Sequence, residues 1–411
     1  MHKEDTHPIQ LVTALPDSAD NALARRSTLY IFVACAVILE LIPFRWGDVR
    51  LNVLLFCLGC LFVITVRIKY LARRVRMCKG PALFIILYAM YLLLSAAWSD
   101  VGLASAIDAL PIILCCAAAL ALADYRSEDS AEAFLKIAVL ICLLSWLLAL
   151  VRPDVAAFLG PGWRLNGVMS HPQRLTLALG LALLMLITLY LRAPTKSLPI
   201  ARMVLLGLPL ALTLLAAQAR AFTTFLLIVA AFSLARRFRA RGRFLCILAA
   251  LFVAASVSYV QPDIASVYAR EDSNTETLSG RTTIWAGTYE LAWERPMLGS
   301  GFGSFLSERT ASFFSSYVAP HAHNDALNIF YESGIIGLIL IMCFVLTASA
   351  SLGFHRNRFF APILLFVLLC GSTGVLIGGK ISTPFAIVVL ITFQELRARQ
   401  ILQRSNSYAS Q

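Results

Sequence analysis

His321-Ala322-His323-Asn324-Asp325 sets two imidazoles, an amide and a carboxylate side by side. Imidazole takes up a proton near neutral pH, which makes His323 a candidate general base. Metal ligation is the other chemistry such side chains offer. But His321 and His323 are only two positions apart, and no third ligand follows at a persuasive spacing. His321 and Asp325 also read as polar groups closing a helix end. Arginines stand in three other segments. Arg281 lies in Ser279-Gly280-Arg281-Thr282-Thr283-Ile284-Trp285, Arg220 in Gln218-Ala219-Arg220-Ala221, and Arg164 and Arg174 bracket the stretch from Leu165 to Gln173. A guanidinium keeps its charge and grips phosphate oxygens in pairs. Arg174, Arg220 and Arg281 gathered around His323 would form a pocket for a strongly anionic group. A departing diphosphate needs such neutralisation as its bond breaks. Many enzymes supply it with a divalent metal. No Asp-x-Asp motif is present, and Asp263, Glu271, Asp272 and Glu276 are scattered. Arginine in place of metal is the consistent reading, and neither a metal nor another cofactor is expected.

Several of these residues also have a plainer reading. Arg164 and Arg174, with Trp163 and His171 between or beside them, suit anchoring at a membrane interface. Gly299-Ser300-Gly301-Phe302-Gly303 resembles a phosphate-binding glycine run, but no strand precedes it and no Lys-Ser/Thr follows, so it reads as a flexible connector. Arg220 falls between two apolar runs with almost no loop, where a charge is costly unless partnered.

The elements that position these groups must be membrane helices. The 411 residues are 59% hydrophobic and 14% charged, with a mean hydropathy of +0.77. A soluble chain is roughly half apolar and a quarter charged. A soluble multidomain enzyme, a disordered chain and a nucleic-acid-binding protein are excluded, although the net charge is +12. Apolar runs at 29–44, 51–66, 81–97, 105–123, 133–151, 175–191, 203–219, 221–235, 244–260, 326–350, 359–377 and 381–396 predict an all-α polytopic membrane protein of about 12 transmembrane helices. Roughly two-thirds of the 35 Lys and Arg fall on one side, including those of 67–79, 192–202 and 236–243, which makes that side and both termini cytoplasmic. The chain divides into a cytoplasmic tail (1–28), helices one to nine (29–260), an outer loop domain (261–325), helices ten to twelve (326–396) and a second cytoplasmic tail (397–411). Parity puts Arg164 to Arg174, Arg220, Arg281 and His323 on the outer face. The loop is expected to hold amphipathic helices, one opening near Arg281 with Ser279 or Thr282 as N-cap and ending at Pro296, another over Phe305 to Phe314. Of the ten cysteines none falls in an outer loop, so no disulfide is expected, and Cys57-x-x-Cys60 reads as helix filler.

Taken together, Ser279-Gly280-Arg281 with Trp285, Pro296-x-x-Gly299-x-Gly301, and His321-Ala322-His323-Asn324 followed by Gly334 and Gly337 resemble the O-antigen ligase and O-antigen polymerase superfamily. Gln218-Ala219-Arg220 is similar to that family's Ser-Arg element, with Ala219 where serine is more usual, and Gly167 to Arg174 looks like its outer-loop element. The resemblance implies a metal-independent, inverting transfer of a glycan from undecaprenyl diphosphate to an acceptor hydroxyl, in the inner membrane of a bacterium. In that picture His323 is the base, Arg220 and Arg281 hold the diphosphate, and Arg174 is a third clamp. Asn324 orients the base or a sugar hydroxyl, with His321, His171 and Arg164 in weaker supporting roles. The acceptor is lipid A-core for a ligase, or another lipid-linked repeat unit for an O-antigen or exopolysaccharide polymerase. A transporter or flippase would instead use in-span charges such as Glu40, Asp108, Lys136 and Glu332, but the chain shows no internal repeat and its charged cluster lies at the outer surface. The orientation has a direct check. A cysteine placed at Asp272 should react with an impermeant maleimide applied from outside, and one placed at Arg239 should not; the reverse pattern overturns the topology.

Overall fold

The computed structural model describes residues 19–42, 45–46, 49–75, 79–158, 164–192, 200–235, 281–314, 320–353, 357 and 359–409. The expected ninth span at 244–260, residues 261–280 of the loop with the proposed cap Ser279, and Trp163 lie outside them. The helices are α1 (Ala19–Ile38), α2 (Leu51–Val66), α3 (Ile68–Val75), α4 (Pro81–Leu94), α5 (Leu103–Ala121), α6 (Ser127–Val151), α7 (Pro153–Ala156), α8 (Pro172–Arg192), α9 (Ile200–Ala217), α10 (Arg220–Ala235), α11 (Arg281–Glu294), α12 (Glu308–Phe313), α13 (Asp325–Leu352), α14 (Phe360–Gly371) and α15 (Thr383–Ala409). Two short antiparallel pairs join them, β1 (Arg45–Trp46) with β2 (Val49–Arg50) and β3 (Ala157–Phe158) with β4 (Arg164–Leu165). Among the described residues α5, α6, α8 and α13 are long and apolar enough to cross a membrane, and shorter apolar helices accompany them. This is an all-α, multi-pass membrane architecture. Leu143, Leu147 and Leu150 form an exposed stripe on α6, which is tolerable when the solvent is lipid.

Inside the bundle, helices approach closely where side chains are small. A methyl group at Gly180 of α8 would come within 2.8 Å of the Phe366 ring of α14. At the end remote from His323, Arg192 of α8 reaches Glu128 of α6 at 2.6 Å and Glu395 of α15 at 3.1 Å, while Asn357 donates to the same Glu395. Helices distant in sequence are thereby pinned at one end.

The feature that organises the opposite end is an interruption in α13. Gly334 has φ 64° and ψ −167°, a conformation essentially reserved for glycine. The break frees backbone groups that a buried or lipid-covered helix cannot leave unpaired. The segment from Pro296 to Gly301 takes them up. Ser300 N–H donates to Tyr331 O and Gly301 N–H to Glu332 O, both at 2.9 Å, while Ile335 N–H donates to Pro296 O at 2.8 Å and Ile336 N–H to Met297 O at 3.4 Å. So Gly299-Ser300-Gly301-Phe302-Gly303 is no flexible connector. It is a packed backbone strip, and its glycines are needed because a Cβ at Gly299 would overlap the Glu332 carbonyl carbon at 2.5 Å. The corner between α4 and α5 clasps the strip from the other side. Tyr91 Oη donates to Leu298 O and Ser333 O, Trp98 Nε1 donates to Leu298 O, Ser105 Oγ donates to Phe302 O, and Asp100 pairs with Arg295 at 2.7 Å.

Three sequence expectations shift. The span expected at 359–377 stops at Gly371, and 372–382 is irregular. One cause is Asp325, whose Oδ1 accepts N–H bonds from Leu376, Ile377 and Gly378 at 2.8–2.9 Å, drawing that segment out of helix. The loop helix α11 is not one-sided either: Ile284, Leu291 and Ala292 face inward, yet Tyr289 and Trp293 are exposed on its other face. The second loop helix is shorter than expected, a 3-10 turn at Ser304–Leu306 followed by α12, which Ser307 caps.

Gly334→Ala should lower the thermal midpoint in detergent well beyond any loss from Gly102→Ala. Both glycines have positive φ, which costs a side chain about 1–3 kcal/mol. Only Gly334 is also closed off, with Met297 O at 2.3 Å from the new methyl, whereas Gly102 has open space. Equal losses would mean that the strip does not depend on the close approach.

Candidate functional site

The chain segment that carries both imidazoles is fixed at each side. Asn324 caps α13, its Oδ1 accepting from Leu327 N–H at 3.1 Å while its Nδ2 donates to Ser372 O at 3.2 Å. Asn328 Oδ1 accepts from Ala322 N–H and its Nδ2 donates to Gly378 O. His323 is held between them with φ 53°, a left-handed conformation that it shares, among the described non-glycine residues, with Gln218 alone. Such strain in a side-chain-bearing residue persists only where the surroundings impose it. Here the His323 N–H donates to His321 Nδ1 at 3.2 Å, and the two rings meet edge to face with centroids 4.2 Å apart.

The electrostatic setting identifies the neighbours. Burial pushes the His321 imidazolium down to about 3, and the positive charges of His323, Arg174 and Arg281 add to that effect. Burial likewise pushes His323 down to about 4, with Arg281 and His171 adding to it. Both rings are neutral at pH 7. Arg281 is itself pushed down by burial, yet a guanidinium remains charged. His321 Nδ1 accepts a backbone N–H, and His171 Nδ1 does the same from Gln173 at 3.2 Å. In the neutral His321 ring that leaves the proton on Nε2, a donor that can meet an oxygen.

The structure thus brings His171, Arg174, Arg281, His321 and His323 together, from three separate segments. Each segment leads into a helix N-terminus: Pro172 opens α8, Arg281 opens α11 and Asp325 opens α13. Unpaired N–H groups and the helix dipole favour anions at such ends. Arg220 opens a fourth, α10, and is exposed. Its neighbour Phe222 packs on Gly374, in the irregular stretch that Asn324 and Asp325 bind, so Arg220 belongs to the same end of the molecule. Arg164 Nε donates to Ala217 O at 3.4 Å and steadies the turn that carries Gln218 and Arg220. Arg174 is less open than its sequence suggests. It pairs with buried Glu40 at 2.8 Å, and Glu40 also accepts the Thr383 N–H at 3.0 Å, tying α8 to the end of α1 and the start of α15. Asn324 is likewise occupied, in capping.

The four in-span charges also have partners: Glu40 on Arg174, Asp108 on Lys380 at 2.5 Å, Lys136 on Tyr30 and Glu132, and Glu332 accepting from Phe305 N–H at 3.4 Å. Among the described residues no three of His, Cys, Asp and Glu assemble as metal ligands. The groups facing one another around His323 are cationic or neutral donors, a set that attracts anions.

Glu40, Asn328 and the α4–α5 corner were not legible as contributors. The one sequence signal was an acid at the end of the first span, which needed a cation partner.

Residues 204–342 match the family model described as O-antigen ligase. That stretch contains Arg220, Arg281, Pro296 to Gly301 and His321 to Asn324, and stops short of Arg164, His171 and Arg174. A curated relative, the exopolysaccharide production protein ExoQ of Rhizobium meliloti (strain 1021), is 31% identical over 113 residues, covering 24% of this chain and 26% of the relative. The chain therefore spans about a quarter of that relative's length. The segment that carries Arg220, Arg281 and His321 to Asn324 is thus the part of the chain that is similar to the O-antigen ligase family.

Proposed function

We propose that the protein is a metal-independent, inverting glycosyltransferase. It moves a glycan from undecaprenyl diphosphate to an acceptor hydroxyl at the periplasmic face of a bacterial inner membrane. The observation that carries this reading is His323, neutral and in a left-handed conformation, set among Arg281, His171 and His321. The acceptor oxygen attacks the anomeric carbon from the face opposite the diphosphate. His323 takes the acceptor proton as that C–O bond forms. The bond from the anomeric carbon to the diphosphate oxygen breaks, and its electron pair leaves on the lipid diphosphate. Arg281 and Arg220 neutralise the leaving charge, with Arg174 behind them on Glu40. The Nε2–H group of His321 donates to a phosphate or sugar oxygen, and His171 has a supporting role beside it. Asn324 acts by fixing the head of α13, and Arg164 by steadying the turn before Arg220.

Lipid A-core as acceptor, hence an O-antigen ligase in lipopolysaccharide assembly, is the first reading and has the support of the family description. The exopolysaccharide role named for the relative supports a second, polymerisation of lipid-linked repeat units. Purified protein given lipid-linked repeats with and without lipid A-core separates them: glycan on lipid A-core means ligase, longer lipid-linked chains mean polymerase. Either product should form in EDTA, and loss restored by a divalent ion would overturn the metal-free mechanism. His323→Ala should cut transfer by about 10²–10⁴-fold while the protein still folds. Near-normal activity would remove the proposed base.

The pH profile tests the arginine setting. With the site empty, burial holds the His323 imidazolium at about 4, with the charge of Arg281 adding to that effect. A bound diphosphate offsets that charge and so raises the value. The acid limb of kcat/KM reports the free enzyme and that of kcat the complex. The kcat limb should therefore lie at higher pH, and coincident limbs would separate His323 from the anion site.

A further inference from the structure

At the end of the molecule remote from His323, arginines from three segments meet the turn between α5 and α6. Arg74 of α3 and Arg397 of α15 both donate to Oδ1 of Asp124, the latter at 3.3 Å. Arg67, at the C-terminus of α2, lays its guanidinium 3.9 Å from the centroid of the Tyr70 ring and 5.2 Å from that of Tyr125. Tyr125 follows Asp124 directly, and its hydroxyl is held by Thr28 at 2.8 Å. Three guanidinium groups therefore share one carboxylate. The acids close by in sequence, Glu128 and Glu395, are engaged by Arg192. Residues 67–79 carry six Lys and Arg and no acid, and no acid follows Glu395 in the chain, so the local charge is strongly positive. Arg67 is buried, with 5% exposure, and its Nε–H has no hydrogen-bond partner among the described residues. Aromatic faces stabilise that charge but leave the donor unused, a costly arrangement unless an anion meets it. Arg397 spends only its Nε on Asp124, so its two terminal nitrogens make no bond among the described residues.

The surface next to the cluster is apolar. Leu55, Leu58, Phe62 and Val66 recur at helical spacing along α2 and are about half exposed. This stripe, tolerable only against lipid, ends at Val66, immediately before Arg67. We propose that the cluster of Arg67, Arg74 and Arg397 binds the phosphate of an anionic phospholipid whose acyl chains lie along this stripe of α2. Guanidinium groups grip phosphate oxygens in pairs, and basic pockets between membrane helices suit acidic headgroups. Free phosphate would satisfy the arginines but leave the apolar stripe without a role. Occupancy joins the end of α2, α3, the α5–α6 turn and α15 through one shared anion. It is independent of the glycan-transfer reading, since it uses none of the groups around His323.

The test is native mass spectrometry of the delipidated full chain with phosphatidylglycerol or phosphatidylcholine of identical acyl chains. The parent should retain the anionic lipid severalfold better. Arg397→Gln and Arg74→Gln should each lower that preference by about fivefold, the effect of one basic residue beside an anionic headgroup. Arg152→Gln, an exposed arginine at the other end paired with Asp154, should leave it unchanged. Asp124→Asn removes the competing carboxylate and should raise the preference, which keeps the test decisive where an arginine variant fails to fold. No preference in the parent, or an Asp124→Asn preference at or below the parent's, would overturn the site. So would a folded Arg397→Gln or Arg74→Gln that retains the parent's preference, or an Arg152→Gln that loses it. Excess inorganic phosphate should leave the lipid bound, and displacement by an equimolar amount would reassign the cluster to free phosphate and overturn the lipid proposal.

Discussion

The interrupted helix α13 is the constraint on which the site end of the molecule depends. A continuous helix would satisfy its own backbone and need nothing from the loop. Breaking it at Gly334 creates carbonyl and amide groups that neither lipid nor a packed interior can satisfy, each costing several kcal/mol if left alone. The strip from Pro296 to Gly301 satisfies four of them and is held in turn by Tyr91, Trp98 and Asp100 at the α4–α5 corner. Through that strip α11 is tied to α13, which sets Arg281 against the head of α13 where His323 sits. The position of a catalytic candidate is thus secured by main-chain hydrogen bonds, which leave little freedom to adjust.

Much of the helical frame was legible because burial in lipid demands long apolar runs, and the helices begin within a few residues of most of them. Arg281 and His323 were legible because polar and charged residues are conspicuous in such a chain. What escaped notice depended on non-local pairing. The glycine run at 299–303 reads as flexible until its partner is known, since glycine permits both mobility and close backbone contact. Arg174 reads as an open cation until Glu40, on a helix far off in sequence, is seen against it. The helix expected through 377 fails because Asp325 offers its backbone amides a charged acceptor, stronger than the helical carbonyls they give up. Each error concerns a group whose partner lies elsewhere in the chain.

Arginine can replace a metal only where its charge is neither screened nor already spent, and the structure divides these duties. Arg174 is partly spent on Glu40, so its field at His321 is tempered by a carboxylate that also ties α1 to α15. Arg281 makes no such ion pair among the described residues, is half-buried, and adds to the lowering of both His321 and His323. An imidazole held this far down is a poor base in the empty site. Burial is the larger cause, and an anion that offsets the Arg281 charge raises the value by the smaller, electrostatic part. The same charges that would neutralise a leaving diphosphate therefore add to the burial that holds His323 low. On the proposed reaction this couples donor occupancy to base strength through the field alone, with no moving part, and it disfavours activating an acceptor or water before a donor is in place.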